Sequence, residues 1–236
     1  KELGKINGKE YIVKTIVTTE TIKTIAERNG VEMYDVYTGF KWIANVMREN
    51  EGKKNYIGGG EESYGFLCED FVRDKDAVSA CVILAEIAAW AKDQGLSLYQ
   101  LLQKIYVEYG FSKEKGISVV KKGKSGAEEI EAMMKKFREN PLTEIAGSKV
   151  TYFYDYSTLK GKDYAENETV TLDMPTTSNV LQYFTEDNTK VSIRPSGTEP
   201  KIKFYCEVHS KVKSIDELPE AEKAAEEKIN QIKASL

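Results

Sequence analysis

Between Tyr11 and Gly60 the sequence alternates between β-branched runs and helical spacing, and this alternation limits the possible folds more than any other feature. Tyr11 to Thr18 is a short apolar run suited to a buried parallel strand. Thr21 to Asn29 follows as a helix, with Ile22, Ile25 and Ala26 at helical spacing before Gly30. Val31 to Tyr37 reads as a second strand. Phe40 to Asn50 reads as a second helix with Ile43, Val46 and Met47 inward, and Asn55 to Ile57 leads into Gly58-Gly59-Gly60. A β-α-β-α-β order calls for a parallel sheet with right-handed crossovers, in which ligands gather at loops leaving the carboxyl ends of strands. Two loops qualify: Thr38-Gly39 and Gly58 to Gly65.

A strand around Gly65 to Phe71, a helix from about Asp76 to Asp93 and another from Leu98 to Tyr109, striped by Leu101, Leu102 and Ile105, carry the pattern to Gly110. The grammar then changes. A strand at Ile117 to Lys121, a helix from Ala127 to Asn140 stopped by Pro141, and a tyrosine-rich strand at Val150 to Tyr156 precede a polar stretch, Lys160 to Thr169, that reads as a loop. Lys190 to Arg194 and Lys201 to Val208 form a hairpin, the second strand alternating Ile202, Phe204, Cys206 and Val208 on one face. Past Ser214 and Asp216, a last helix buries Leu218, Ala221, Ala225, Ile229 and Ile232. The expected architecture is an α/β domain over 1–109, with a mixed, largely parallel sheet and flanking helices. A smaller α+β domain with an antiparallel sheet follows over 110–236.

With 236 residues, 41% of them hydrophobic, there is material for two modest domains. A net charge of −4 without a basic stripe argues against a nucleic-acid partner. The most apolar segment, Val78 to Ala91, is shorter than a bilayer and interrupted by Glu86, so no membrane is expected. Cys68, Cys81 and Cys206 are odd in number and lack C-x-x-C pairing, which points away from a disulfide framework or zinc and toward a reducing cytoplasm. The single histidine, His209, closes its strand on the polar face and is given no role. The chain opens at Lys1 with neither a start methionine nor a signal-like region, which reads as an internal cut in a longer protein.

Three segments carry chemistry. Arg194-Pro195-Ser196-Gly197-Thr198-Glu199-Pro200 sets a guanidinium, two hydroxyls and a glycine-opened turn between two strands. Arginine's fork matches phosphate oxygens, and Gly197 would allow successive N–H groups to converge on an anion. The other reading is a hairpin turn whose arginine caps a neighbour. Gly58 to Gly65 places Glu61, Glu62 and Ser63 on a glycine-rich backbone; Glu61 and Ser63 would face the same way on an extended loop and suit sugar hydroxyls, or else the acids are merely solvated. Ser63 stands where a dinucleotide fingerprint needs its third glycine, and Ser118 where a Walker loop before Gly123-Lys124-Ser125 needs its first, so both nucleotide readings fail. In Val72-Arg73-Asp74-Lys75-Asp76 an aspartate can cap the next helix, while Lys75 is a candidate proton carrier whose pKa desolvation would lower.

Taken in order, Gly60-Glu61-Glu62-Ser63, Arg73-Asp74-Lys75-Asp76 and the turn from Arg194 to Pro200 resemble the α-D-phosphohexomutase family, in its phosphoglucomutase and phosphopentomutase branch. The resemblance spans nearly the whole chain and corresponds to the third and fourth of that family's four domains. It implies an isomerase that passes a phosphoryl group between a phosphoserine and a sugar monophosphate through a sugar bisphosphate, interconverting 1-phosphate and 6-phosphate (or 5-phosphate). Thr38, Gly39, Glu61 and Ser63 would bind the sugar; Arg194, Ser196, Gly197 and Thr198 the non-transferring phosphate; and Lys75 would be a candidate catalytic acid/base. Tyr64 and Gly65 stand where mannose- and glucosamine-active relatives often carry a histidine, which favours glucose or pentose phosphates. The family's Ser-His phosphoserine loop and Asp-rich magnesium loop are absent from these residues. The Mg2+ ligands and the nucleophile would then lie in missing N-terminal domains of the same protein, and the fragment alone would be inactive. The alternative is a non-catalytic phospho-sugar binding module.

Overall fold

The computed structural model describes residues 4–121, 123–197 and 199–235. The chain divides into two compact units, Lys1–Gly110 and Phe111–Leu236. The second, expected to be the smaller, is the longer within this chain.

In the first unit, strand β1 (Glu10–Thr15), helix α1 (Thr21–Asn29), strand β2 (Glu32–Val36), helix α2 (Phe40–Asn50) and strand β3 (Asn55–Gly60) follow the expected alternation. Strand β4 (Phe66–Cys68) is shorter than its apolar run suggested. The sheet order is β2-β1-β3-β4; β1 runs parallel to β2 and β3, and β4 is antiparallel to β3. Going from β1 to β2 and back past β1 to β3 with right-handed crossovers puts α1 and α2 on opposite faces. The α2 face is well filled: Ile43 and Met47 pack with Tyr11, Val13, Tyr56 and Leu67, all buried. Tyr11 meets Tyr34 edge-on at 5.6 Å, a geometry that adds to area burial. On the other face Lys14 is fully buried between Asp35 (2.7 Å) and Glu20 (3.0 Å). Burial alone would lower its pKa, but the two carboxylates more than reverse this and hold the ammonium charged.

Local signals explain where the helices stop and start. Gly30, at φ 66, turns the end of α1 so that its N–H and that of Val31 return to carbonyls of the last turn. Asp76 caps α3 (Ala77–Asp93) by accepting from the N–H groups of Val78 and Ser79, and Ser97 with Gln100 forms a capping box for α4 (Leu98–Tyr109). Among the described residues no helix is long and apolar enough to cross a membrane.

The second unit runs β5 (Phe111–Val120), α5 (Gly123–Glu139), β6 (Glu144–Ile145), β7 (Ser148–Asp155), β8 (Lys160–Asp163), β9 (Glu168–Thr171), β10 (Leu181–Thr185), β11 (Lys190–Pro195), β12 (Lys201–Ser210) and α6 (Leu218–Ser235). Its sheet has the order β5-β12-β11-β10-β7-β8-β9 with antiparallel pairing throughout; β6 pairs with β7 off this path. Ile202, Phe204, Cys206 and Val208 are buried as expected, and Phe137 of α5 meets Phe204 edge-on. Ala221 of α6 is only half-buried.

Three expectations need correction here. The polar stretch from Lys160 to Thr169 is not a loop: most of it lies in β8 and β9, tightened by Leu159 and Asn167 at φ 54 and by Lys162 bonding Asn167. Strand β9 is the sheet's edge and β8 pairs between it and β7, so this short polar hairpin extends the end of the sheet, where polar residues are favoured. Strand β5 starts six residues earlier than expected, because β12 pairs with it from Val120 back to Phe111. Its charged half is held by Lys113 and Lys115, which ion-pair with Glu222 and Glu226 of α6. Helix α5 begins at Gly123 rather than Ala127.

His209 is half-buried rather than solvated, and burial holds its imidazole below the usual range. Unfolding therefore takes up a proton as pH falls. Stability from this group is complete above the unfolded histidine's pKa of about 6.5 and declines as pH drops below it. A pH titration of the only imidazole resonance should give a midpoint under that value, and His209→Gln should flatten the stability profile between about pH 5 and 6.5. A midpoint above 6.5 would contradict the sign.

Candidate functional site

The carboxyl ends of β1, β2 and β3 converge on one acidic turn. The three glycines Gly58-Gly59-Gly60 are not loop, as the sequence suggested, but complete β3, leaving Glu61 to Gly65 as the turn itself. Glu61 N–H donates to Gly65 C=O at 2.7 Å and Tyr64 sits at φ 67, so the turn is tight rather than extended. Glu61 and Glu62 are each taken up. Gly39, which precedes α2 at φ 113, donates its N–H to Glu61 Oε1 at 2.7 Å. Thr15, the last residue of β1, donates its hydroxyl to Glu62 Oε2 at 3.2 Å and shares a 2.8 Å bond with Thr18. The signal for this second tie was Thr15 and Thr18 at a strand's carboxyl end, which sequence reasoning left aside.

Lys75 reaches the same place. A Cβ added at Gly65 would lie 2.8 Å from Glu61 Oε2 and 3.3 Å from Lys75 Cδ, so these three residues crowd one spot. Lys75 Nζ stands 5.7 Å from the Phe40 ring centre and 2.9 Å from Asp74 Oδ1. The hydrogen bond to Asp74 raises the Lys75 pKa, the reverse of the expected lowering by desolvation. Asp76 is committed to capping α3. Thr38 is half-buried beside Gly39, whereas Ser63 is exposed at the tip of the turn. The structure thus gathers Gly39, Glu61 and Lys75, with Thr38 and Ser63 on the rim.

Alongside lies a cleft of about 540 Å³ lined by Lys41, Ala44, Asn45, Arg48, Glu51, Arg73 and Asp74. Sequence reasoning missed it, although Lys41, Ala44 and Arg48 recur at helical spacing on α2. Arg73 is tied to Glu51 at 3.1 Å.

In the second unit the turn between β11 and β12 holds Arg194 at its base, directly opposite Lys203 in the strand register. Two cations facing each other across antiparallel strands repel, a cost that a bound anion removes. Ser196 N–H donates to Lys201 C=O at 2.7 Å, and Glu199 N–H donates to Ser196 Oγ at 3.3 Å. These two N–H groups are used inside the turn. Gly197 is exposed, its φ lies outside the left-handed region, and no atom lies within 4 Å of an added Cβ. Its glycine serves open access, not conformation. The fourth expected residue, Thr198, lies outside the described residues. Glu199, bonded to Lys201 at 2.7 Å, is held below the usual carboxylate range by that bond.

Among the described residues no three His, Cys, Asp or Glu side chains group to hold a metal ion. The two carboxylates at the acidic turn each accept a hydrogen bond from a neighbouring segment, Glu61 from Gly39 and Glu62 from Thr15.

Both units share their fold with solved phosphohexose-mutase-like proteins. A phosphoglucomutase of Paramecium, pp63/parafusin in its open form, matches with a TM-score of 0.57 at 17% identity, over 94% of this chain and 38% of that one. A structure described as a putative phosphomannomutase from Thermus thermophilus matches at 0.55 and 18%, over 93% and 37%. The chain belongs to the phosphoglucomutase/phosphomannomutase family: residues 1–109 match its alpha/beta/alpha domain III and residues 118–225 its C-terminal domain. Among curated relatives, the phosphoglucomutase of Staphylococcus haemolyticus is 35% identical over 88% of this chain and 38% of its own length. That of Staphylococcus aureus strain RF122 is 40% identical over 82% and 35%. The chain thus spans little more than a third of the length of these relatives.

Proposed function

We propose that this chain is the substrate-binding C-terminal portion of a phosphoglucomutase-like enzyme that interconverts sugar 1-phosphate and 6-phosphate, or 5-phosphate, through a phosphoserine and a sugar bisphosphate. The observation that carries the reading is the Arg194–Lys203 pair, two cations facing each other across the strands at the base of the turn. Arg194 would offer its planar fork to the non-transferring phosphate, with Lys203 as a second point charge and Ser196, Gly197 and Thr198 closing the rim. Glu61, oriented by Gly39, would accept hydrogen bonds from sugar hydroxyls, and Thr38 and Ser63 would adapt to either orientation of the ring. The hydrogen bond to Asp74 raises the Lys75 pKa, so Lys75 would serve as a standing positive charge beside the phosphate rather than abstract a proton.

Magnesium, supplied by ligands outside these residues, would offset phosphoryl charge in the complete enzyme. The nucleophile and metal loops would come from N-terminal domains of the same protein, and the purified chain is expected to show no mutase turnover. Turnover above a blank would overturn that part of the reading.

Binding survives without catalysis. A few charge-assisted hydrogen bonds of about 1.5–3 kcal/mol each, offset by association and ordering costs, leave roughly millimolar affinity. Titration with glucose 1-phosphate should shift the amide resonances of Ser196 and Gly197, and Arg194→Ala should abolish the shifts while leaving the His209 resonance in place. Shifts that persist in Arg194→Ala would remove the turn from the site. Retained binding without turnover equally fits a non-catalytic phospho-sugar binding module. Restoration of turnover by the N-terminal part of a curated relative separates the two.

A further inference from the structure

Helix α3 has the composition of a buried helix and the exposure of a surface one. Its sequence, AVSACVILAEIAAWAKD, carries only Glu86, Lys92 and Asp93 as charges, yet Ala91 is its single buried residue. Val78 is 74% exposed, Val82 54%, Leu84 56%, Ile87 40% and Trp90 45%. At roughly 100° per residue these side chains spread over about 240° of the helix circumference, so no single neighbour within the unit covers them. An isolated exposed apolar residue means nothing, but a contiguous set marks an interface.

The sheet shows the same deficit on the same side. Tyr56 and Leu67 point into the α2 core, so their strand neighbours Ile57 and Phe66 point to the opposite face, where they are 38% and 39% exposed. On that face α1 contacts β2, α3 contacts β4, and α4 touches both of these helices, yet Ile57 on β3 stays 38% exposed. The matching family domain is alpha/beta/alpha, with helices on both faces, and even with α1, α3 and α4 in contact Ile57, Phe66 and most of α3 keep apolar surface exposed.

We infer that Ile57, Phe66 and the exposed flank of α3 form the seat for an apolar helix supplied by the part of the longer mutase polypeptide that this chain does not contain. The relatives provide the material, since some three-fifths of their length has no counterpart here. The inference rests on family membership and not on the sugar-phosphate reading, and its test uses no sugar.

Cys81 lies on α3 between Val78 and Val82 and is exposed, while Cys206 is buried. Maleimide labelling, read peptide by peptide, should modify Cys81 of the 236-residue chain rapidly in both dilute and concentrated protein. In a chimaera that places this chain in the matching region of the S. haemolyticus phosphoglucomutase, the same thiol should react at least about tenfold more slowly, as for a site reached only by local opening. Equal rates would overturn the inference. So would protection that grows with concentration in the chain alone together with a dimer by light scattering, which would give the seat to a second copy. Val82→Glu supplies an arm that does not depend on the chimaera folding: in the chain alone it should leave circular dichroism and the unfolding midpoint unchanged and raise solubility. A marked loss of stability there would show that α3 is already covered, and the inference would fall.

Discussion

Replacing Glu207 by alanine is expected to destabilise the second unit by about 3–5 kcal/mol, the loss typical of breaking a buried ion pair from one side. Lys190 of β11 and Glu207 of β12 lie directly opposite in the register, Nζ to Oε2 is 3.0 Å, and their side chains are 2% and 4% exposed. Ser112 of β5 donates to the other oxygen at 2.9 Å, so the carboxylate joins three strands. Without it a buried ammonium is left uncompensated, which costs more than the pair contributes. The double variant Lys190→Met, Glu207→Leu should therefore recover most of the loss. Both tryptophans, Trp42 and Trp90, belong to the first unit, whereas His209 belongs to the second. Urea unfolding should then show an early transition in the His209 resonance with the tryptophan fluorescence transition unmoved. An unchanged His209 transition would show that water compensates Lys190.

Gly59→Ala should destabilise the first unit by about 3 kcal/mol, near the upper end for inserting a methyl group into a filled core. The new Cβ would stand 2.5 Å from the Val13 carbonyl oxygen and 2.6 Å from Tyr56 Oη, and the first of these is backbone of the central strand. Tyr56 donates to the Leu67 carbonyl at 3.2 Å, so moving its ring aside would break that buried hydrogen bond. Relief requires β3 to shift away from β1, carrying Glu61 away from Gly39. Tryptophan fluorescence should report a lowered midpoint, with the His209 transition untouched. Gly197→Ala is the control: its Cβ meets open space, and stability should not change. Equal stability of Gly59→Ala and the parent would mean that the strand yields freely there.

The sequence disclosed the parallel core because its signals are local. Ile43, Val46 and Met47 share one helical face, Gly30 and Gly39 stand where the chain reverses, and Asp76 stands where a helix needs an acceptor. What it hid depends on partners distant in the chain. Strands β8 and β9 form a polar hairpin at the end of the sheet with β9 as its edge, and the first half of β5 looks like a charged linker until Glu222 and Glu226 are brought beside Lys113 and Lys115. The candidate residues show the same division. Glu61 was legible as a turn carboxylate, but its bond to Gly39 is not, because two different crossovers must first be laid side by side. The facing of Arg194 and Lys203 could not be anticipated without the register of β11 on β12.

That register has a mechanical side. The turn after Pro195 is slung between β11 and β12, which have hydrogen-bonded neighbours on both edges. Its two anchor points are therefore strands paired along both sides. A substitution deep in either strand can thus move Arg194 and Lys203 through the frame alone, without touching them.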